Sequence, residues 1–190
     1  MSDRLPKPVT PHLVRDLATL DQALYETVTI TRTPTLDTAL RRLSAAADHS
    51  KLSFAVAAGL ALRGGRSRRA ALLGVAAIGV ASATANLVGK RLVRRRRPHR
   101  AEDSPFPGRH VPMPESASFP SGHTASAVAF AAAVGPALPA AAVPLGVLAC
   151  AVGYSRVHTG VHYPGDVIAG ALLGTGSAAL VLSLAARAER

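Results

Sequence analysis

Four side chains that are costly to hide from water fall within the twelve positions of "SRVHTGVHYPGD" (155–166), in a chain that is 48% apolar. His162 and Asp166 stand four apart, a spacing that lets a carboxylate hold one imidazole nitrogen and leave the other free to attack phosphorus. A second stretch, "PSGH" (120–123), is a turn feeding straight into an apolar run. Its Ser121 hydroxyl, the side-chain-free Gly122 and the first-turn N–H groups suit an anion at a helix N-terminus. His123 could protonate a leaving oxygen as general acid and then act as base toward water. A third stretch, "KRLVRRRRP" (90–98), sets Lys90 and Arg97 seven residues apart. With Arg156 they would surround a tetrahedral, dianionic group from several directions.

Each piece also has a plain reading. "PSGH" alone is a helix cap, Asp166 alone an N-cap, and Pro164 with Gly165 a turn. Arg94, Arg95 and Arg96, which the chemistry does not need, serve equally well as topology anchors. His99, His110 and His158 match no role. What favours phosphoryl chemistry is the combination, and it calls for no metal and no other cofactor, because Lys and Arg already neutralise the developing charge.

Such residues must be held together by elements that the composition identifies. Aromatic residues are 4% of the 190 and Trp is absent, so a soluble core would rest on small side chains that bury little area. Membrane helices tolerate that composition, because small residues let backbones approach closely. The net charge of +11 would suit nucleic acid, anionic lipid or a phosphorylated substrate. The basic residues flank apolar runs, as in "RGGRSRR" (63–69) and "ARAER" (186–190), which points to a membrane surface and not to nucleic acid. One cysteine, Cys150, excludes an intrachain disulfide and a Cys-rich metal site; it reads as packing. The opening sixteen residues show no apolar core of signal-peptide type.

Along the chain, residues 1–50 form an amphipathic N-terminal unit and 51–190 a membrane-embedded one. Leu13, Leu17, Leu20 and Leu24, then Leu36, Leu40 and Leu43, recur at helical spacing on either side of "TRTPT", predicting two surface helices, interfacial or soluble. Residues 70–89 are long enough and uncharged enough to cross a bilayer. The run 52–62 is too short to span alone, 124–134 and 137–153 form a hairpin about "GPALP", and 167–185 carries "GALLGTGSA", whose small residues suit helix contact. The expected fold is all-α, a polytopic helical bundle of about five transmembrane helices preceded by amphipathic interfacial helices. Counting crossings puts the loops at 90–123 and 154–166 on one face.

The three stretches, in this order between membrane helices, resemble the signature motifs of the type 2 phosphatidic acid phosphatase superfamily, which includes glucose-6-phosphatase and vanadium haloperoxidases. The resemblance covers roughly residues 50–186. It implies a multi-pass plasma-membrane enzyme that hydrolyses a terminal phosphate from a prenyl-linked or glycerolipid substrate. His162 would be the nucleophile, Asp166 its support and His123 the acid and base, with Lys90, Arg97, Ser121, Gly122 and Arg156 on the phosphoryl group. Membrane-bound relatives commonly have six transmembrane helices, and here residues 1–50 stand where the first would be. The compact length resembles small actinobacterial members, some linked to decaprenyl-phosphoryl phosphoribose processing. A vanadate-dependent oxidase and a non-catalytic lipid-binding membrane protein are the rival functions. Positive-inside counting places the motif face in the cytoplasm, whereas many bacterial relatives act outside, so both orientations stand, as does any oligomeric state.

Overall fold

The computed structural model describes residues 10–100 and 106–190, and every regular element among them is helical. The opening nine residues, part of the stretch read above as free of a signal-type core, lie outside the described residues. Helix α1 (Thr10–Ile30) and helix α2 (Pro34–Ala46) are the two amphipathic helices. Pro34 opens α2, where its fixed φ suits a first turn and its missing N–H costs nothing. A short 3-10 turn, Asp48–Ser50, leads into α3 (Lys51–Ala61).

Helix α4 (Gly65–Ala83) runs on through a π turn, Thr84–Gly89, into a last turn, α5 (Lys90–Leu92). The remaining helices are α6 (Gly122–Val134), α7 (Pro139–His158) and α8 (Pro164–Ala188). The α6–α7 hairpin falls where "GPALP" predicts it.

Three units are long and apolar enough to cross a membrane: Gly65–Leu92, Pro139–His158 and Pro164–Ala188. At the helical rise they reach about 42, 30 and 38 Å, against a hydrocarbon core of about 30 Å. Helices α3 and α6, of 11 and 13 residues, reach only about 17 and 20 Å. Of the about five spans expected, three are helices long enough to cross and one, α6, is a shorter apolar helix among the described residues, while α3 falls short. The reason is visible at α6, which buries Ala125, Ala129, Phe130, Ala133 and Val134 against its neighbours. A helix enclosed by protein need not match the bilayer's thickness.

Small residues set the packing. A Cβ on Gly174 of α8 would lie 2.4 Å from the Ala125 carbonyl oxygen and 2.9 Å from the Ala129 nitrogen, and one on Gly170 would lie 2.5 Å from the Ser121 carbonyl oxygen. Helices α6 and α8 thus touch backbone to backbone, the contact that "GALLGTGSA" foreshadows. Cys150, expected in the packing, is instead exposed on α7.

Helices α3, α4 with α5, α6, α7 and α8 alternate in direction. One end of the bundle therefore gathers the start of α3, the end of α5, the starts of α6 and α8, and the end of α7. Helices α1 and α2 lie across that end, tied down by Arg109. Its guanidinium donates to the Thr29 and Thr31 carbonyls, each at 3.0 Å, and pairs with Asp37 at 3.0 Å.

Candidate active site

At the α7–α8 junction the chain turns back on itself: the N–H groups of Val161 and His162 both donate to the Arg156 carbonyl, at 3.1 and 3.2 Å. That turn drives the His162 ring inward, leaving it 2% exposed. Arg97 Nη1 lies 3.2 Å from His162 Nε2. A guanidinium only donates, so Nε2 must be the acceptor and the ring proton belongs on Nδ1. Nδ1 faces Asp166 Oδ2 at 3.4 Å, a long hydrogen bond, and the same oxygen accepts from the Tyr163 N–H at 3.0 Å. Burial pushes the His162 imidazole down to about 4; the Asp166 hydrogen bond opposes the drop, and the Arg97 and Arg156 cations add to it. At neutral pH the ring is uncharged, with a lone pair on the nitrogen that faces a cation.

Beside this buried layer opens a cleft of about 460 Å³ lined by Lys90, Gly122, His123, Arg156 and Asp48, among others. The size falls within the range of small-ligand sites. The π turn that ends α4 brings Lys90 to the rim, where Nζ bonds Asn86 Oδ1 at 2.8 Å and Ser116 Oγ at 3.2 Å. Arg97 shares that Ser116 hydroxyl at 3.3 Å and donates to the Val161 carbonyl at 2.8 Å. Lys90 and Arg97, seven residues apart, thus converge on one serine 26 and 19 residues further along the chain. A Cβ on Gly122 meets no protein atom within 4 Å, so the α6 N-terminus is open to the cleft. Arg156, 2% exposed, donates to Ser44 Oγ at 2.5 Å, while its Nε has no partner among the described residues.

The eight sequence-predicted residues gather at one end of the bundle, in two groups. Lys90, Gly122, His123 and Arg156 line the cleft, whereas Ser121, His162 and Asp166 are buried behind it and Arg97 is half-buried, lining an adjoining groove with Lys90. Ser121 is fully buried; its N–H donates to the Asp166 carbonyl at 2.9 Å and its hydroxyl accepts from Thr124 Oγ1 at 2.9 Å. It caps α6 and joins two motifs through the backbone.

Sequence reasoning missed the acidic half of the site. Asp48 Oδ1 accepts from His123 Nε2 at 2.7 Å and lies 3.9 Å from Arg156 Nη1. Asp37 accepts from His158 Nε2 at 3.0 Å, giving that histidine a structural partner where the sequence offers none. Arg95, read as interchangeable with Arg94 and Arg96, bonds Asp166 Oδ1 at 3.0 Å and Asp21 Oδ2 at 2.6 Å. The three aspartates come from the N-terminal helices and the turn after them. Their partners lie more than 70 residues away along the chain, beyond what local spacing can show.

Fold and site together define a membrane-embedded helical bundle with a cationic, histidine-bearing cleft at one end. Residues 70–190 match the PAP2 superfamily, and the chain belongs to it. Decaprenylphosphoryl-5-phosphoribose phosphatase of Mycobacterium tuberculosis (strain ATCC 25618 / H37Rv) is 40% identical over 129 residues, 66% of this chain and 67% of that one. Lipid A 1-phosphatase of Rhizobium etli is 42% identical over 98 residues, 47% of this chain and 39% of the relative. Among solved structures, the transmembrane PAP2 type phosphatidylglycerolphosphate phosphatase from Bacillus subtilis superposes with a TM-score of 0.70 at 25% identity. The match covers 90% of this chain and 87% of that one. The protein is accordingly a multi-pass membrane protein, and the expected superfamily and helical class hold.

Proposed function

We propose that this protein is a phosphatase of the cell membrane that removes a terminal phosphate from a lipid by way of a phosphohistidine at His162. The observation that carries the reading is the contact between Arg97 Nη1 and His162 Nε2. A phosphoryl group seated on that guanidinium lies against the nitrogen lone pair that attacks it. Asp166, at Nδ1, keeps the productive tautomer and stabilises the positive charge that the ring gains.

In the first half-reaction Nε2 of His162 forms a bond to phosphorus as the P–O bond to the lipid breaks, and His123 gives its proton to the departing oxygen. In the second, water attacks the phosphohistidine, passing a proton to His123, and the N–P bond breaks to release inorganic phosphate. Lys90, Arg97 and Arg156 supply positive charge to the phosphoryl oxygens, with first-turn N–H groups at Gly122 adding donors from the start of α6. Ser121 contributes by fixing that turn.

The substrate we propose is a prenyl-linked sugar phosphate, a reading supported by the 40% identity to the mycobacterial decaprenylphosphoryl-5-phosphoribose phosphatase. Phosphate release by the detergent-solubilised protein, with chelator present, is to be compared on decaprenylphosphoryl-5-phosphoribose, phosphatidic acid, phosphatidylglycerophosphate and undecaprenyl pyrophosphate. Turnover is expected to be fastest on the first. Faster turnover on another lipid would overturn the substrate assignment, and absence of release from all four would overturn the enzymatic one.

A further inference from the structure

The "RRRR" run belongs to no regular element, yet its burial alternates residue by residue. Arg94 and Arg96 face outward and are exposed, whereas Arg95 and Arg97 turn in and are half-buried. Arg97 belongs to the site described above. Arg95 reaches the other side of the same histidine by a longer route.

Asp166 is fully buried. A buried carboxylate is tolerable only with hydrogen bonds and a compensating charge. The neutral His162 supplies no charge, and among the described residues the cation bonded to Asp166 is Arg95, through Nη1 to Oδ1 at 3.0 Å. The other oxygen, Oδ2, is left for Tyr163 N–H and His162 Nδ1. Arg95 thereby adds the compensating charge and fixes the carboxylate's rotation.

Arg95 is itself held on two further sides. Its Nη2 donates to Asp21 Oδ2 at 2.6 Å, and its guanidinium carbon lies 4.1 Å from the centre of the Tyr163 ring. Asp21 uses its second oxygen to accept from the Gly165 N–H at 2.7 Å. A Cβ on Gly165 would come within 2.9 Å of Asp21 Oδ2, so the glycine between Pro164 and Asp166 is what lets the α1 carboxylate dock. An exposed helix thus sends one largely buried aspartate to the back of the catalytic pair.

We infer that Asp21 and Arg95 extend the Asp166–His162 pair into a positioning chain through which helix α1 sets the attacking ring. The inference rests on the phosphohistidine reading and adds two residues to it. Neither touches the phosphoryl group; both act through Asp166. An arginine is required because one planar fork bonds two carboxylates at once, which a lysine ammonium does less well.

The test is steady-state kinetics of the full-length protein in detergent on decaprenylphosphoryl-5-phosphoribose, with thermal midpoints measured alongside. Arg95→Met is expected to lower kcat by about 10²-fold, the scale of a small misplacement of reacting groups, while KM stays unchanged. Arg95→Lys falls between it and wild type. Asp21→Asn lowers kcat less, and the double variant is no slower than Arg95→Met, because Asp21 acts only through Arg95. Arg94→Met keeps wild-type kcat. If Arg95→Met loses its fold, Arg95→Lys and Asp21→Asn carry the same comparison.

Wild-type kcat in the Arg95 and Asp21 variants, a rise in KM with kcat intact, or effects that multiply in the double variant would overturn the inference. His162→Ala separates the two levels. Retained turnover there overturns the phosphohistidine reading, whereas a dead His162→Ala beside a fully active Arg95→Met overturns the positioning chain alone.

Discussion

The burial that leaves His162 uncharged also makes it sensitive to acid. Its folded pKa, about 4, lies below the ordinary 6.5, so between those values the unfolded chain binds the proton and the folded one does not. Stability from this group is therefore complete above about pH 6.5 and is lost progressively as the pH falls toward 4. The thermal midpoint in detergent should drop between about pH 7 and pH 4.5, and drop less in His162→Gln. Parallel midpoint curves would show that the ring is not buried in its neutral form. At this scale the gathering of His162, Asp166, Lys90, Arg97 and Arg156 at one end of the bundle was legible, because the spacing within each motif is local. Asp21, Asp37 and Asp48 were not, since an aspartate on an amphipathic helix looks solvated until its distant partner is known. Nor could a run of four arginines show that Arg95 turns inward beside Arg97.

Among the elements, α8 has a face on which a single methyl decides the packing. The hypothetical Cβ of Gly174 meets backbone atoms of α6, which cannot swing away, whereas that of Gly176 meets nothing within 4 Å. Gly174→Ala is expected to cost about 1–3 kcal/mol, the usual range for overpacking. Gly176→Ala should be neutral or gain up to about 1 kcal/mol from helix propensity. Thermal denaturation of the two variants checks this, and equal midpoints would contradict the backbone contact. The small-residue pattern in "GALLGTGSA" announced such a face in the sequence, but not its partner. That partner, α6, was read as one span among five, because apolar length gives no sign that a short helix is enclosed by its neighbours.

On the scale of the whole molecule, α1 has two sides. Asp21 docks at the site, while Leu13, Leu17 and Leu20 are each 56% exposed, and Leu17 and Leu20 line a groove with Ile168 of α8 on the outside of the bundle. An exposed leucine stripe level with the ends of spanning helices belongs in the headgroup region of a bilayer. The chain has no Trp, so Leu17→Trp places a single reporter there. Its emission should be blue-shifted in vesicles and quenched by lipids brominated near the headgroup, while water-exposed emission with no quenching would lift α1 off the membrane. Leucine spacing made the two N-terminal helices readable as amphipathic. That they also cross the catalytic end, each carrying an aspartate into it, is tertiary information that no periodicity holds.

The central claim is that three distant stretches converge so that Nε2 of residue 162 takes the phosphoryl group. Its most direct test is rapid alkaline quenching of the protein during turnover of decaprenylphosphoryl-5-phosphoribose, followed by mass-spectrometric mapping of the phosphorylated residue. The account predicts phosphate on His162 in the wild type, and neither phosphohistidine nor phosphate release in a folded His162→Ala. Phosphate mapped to any other residue, or turnover persisting in His162→Ala, would contradict it.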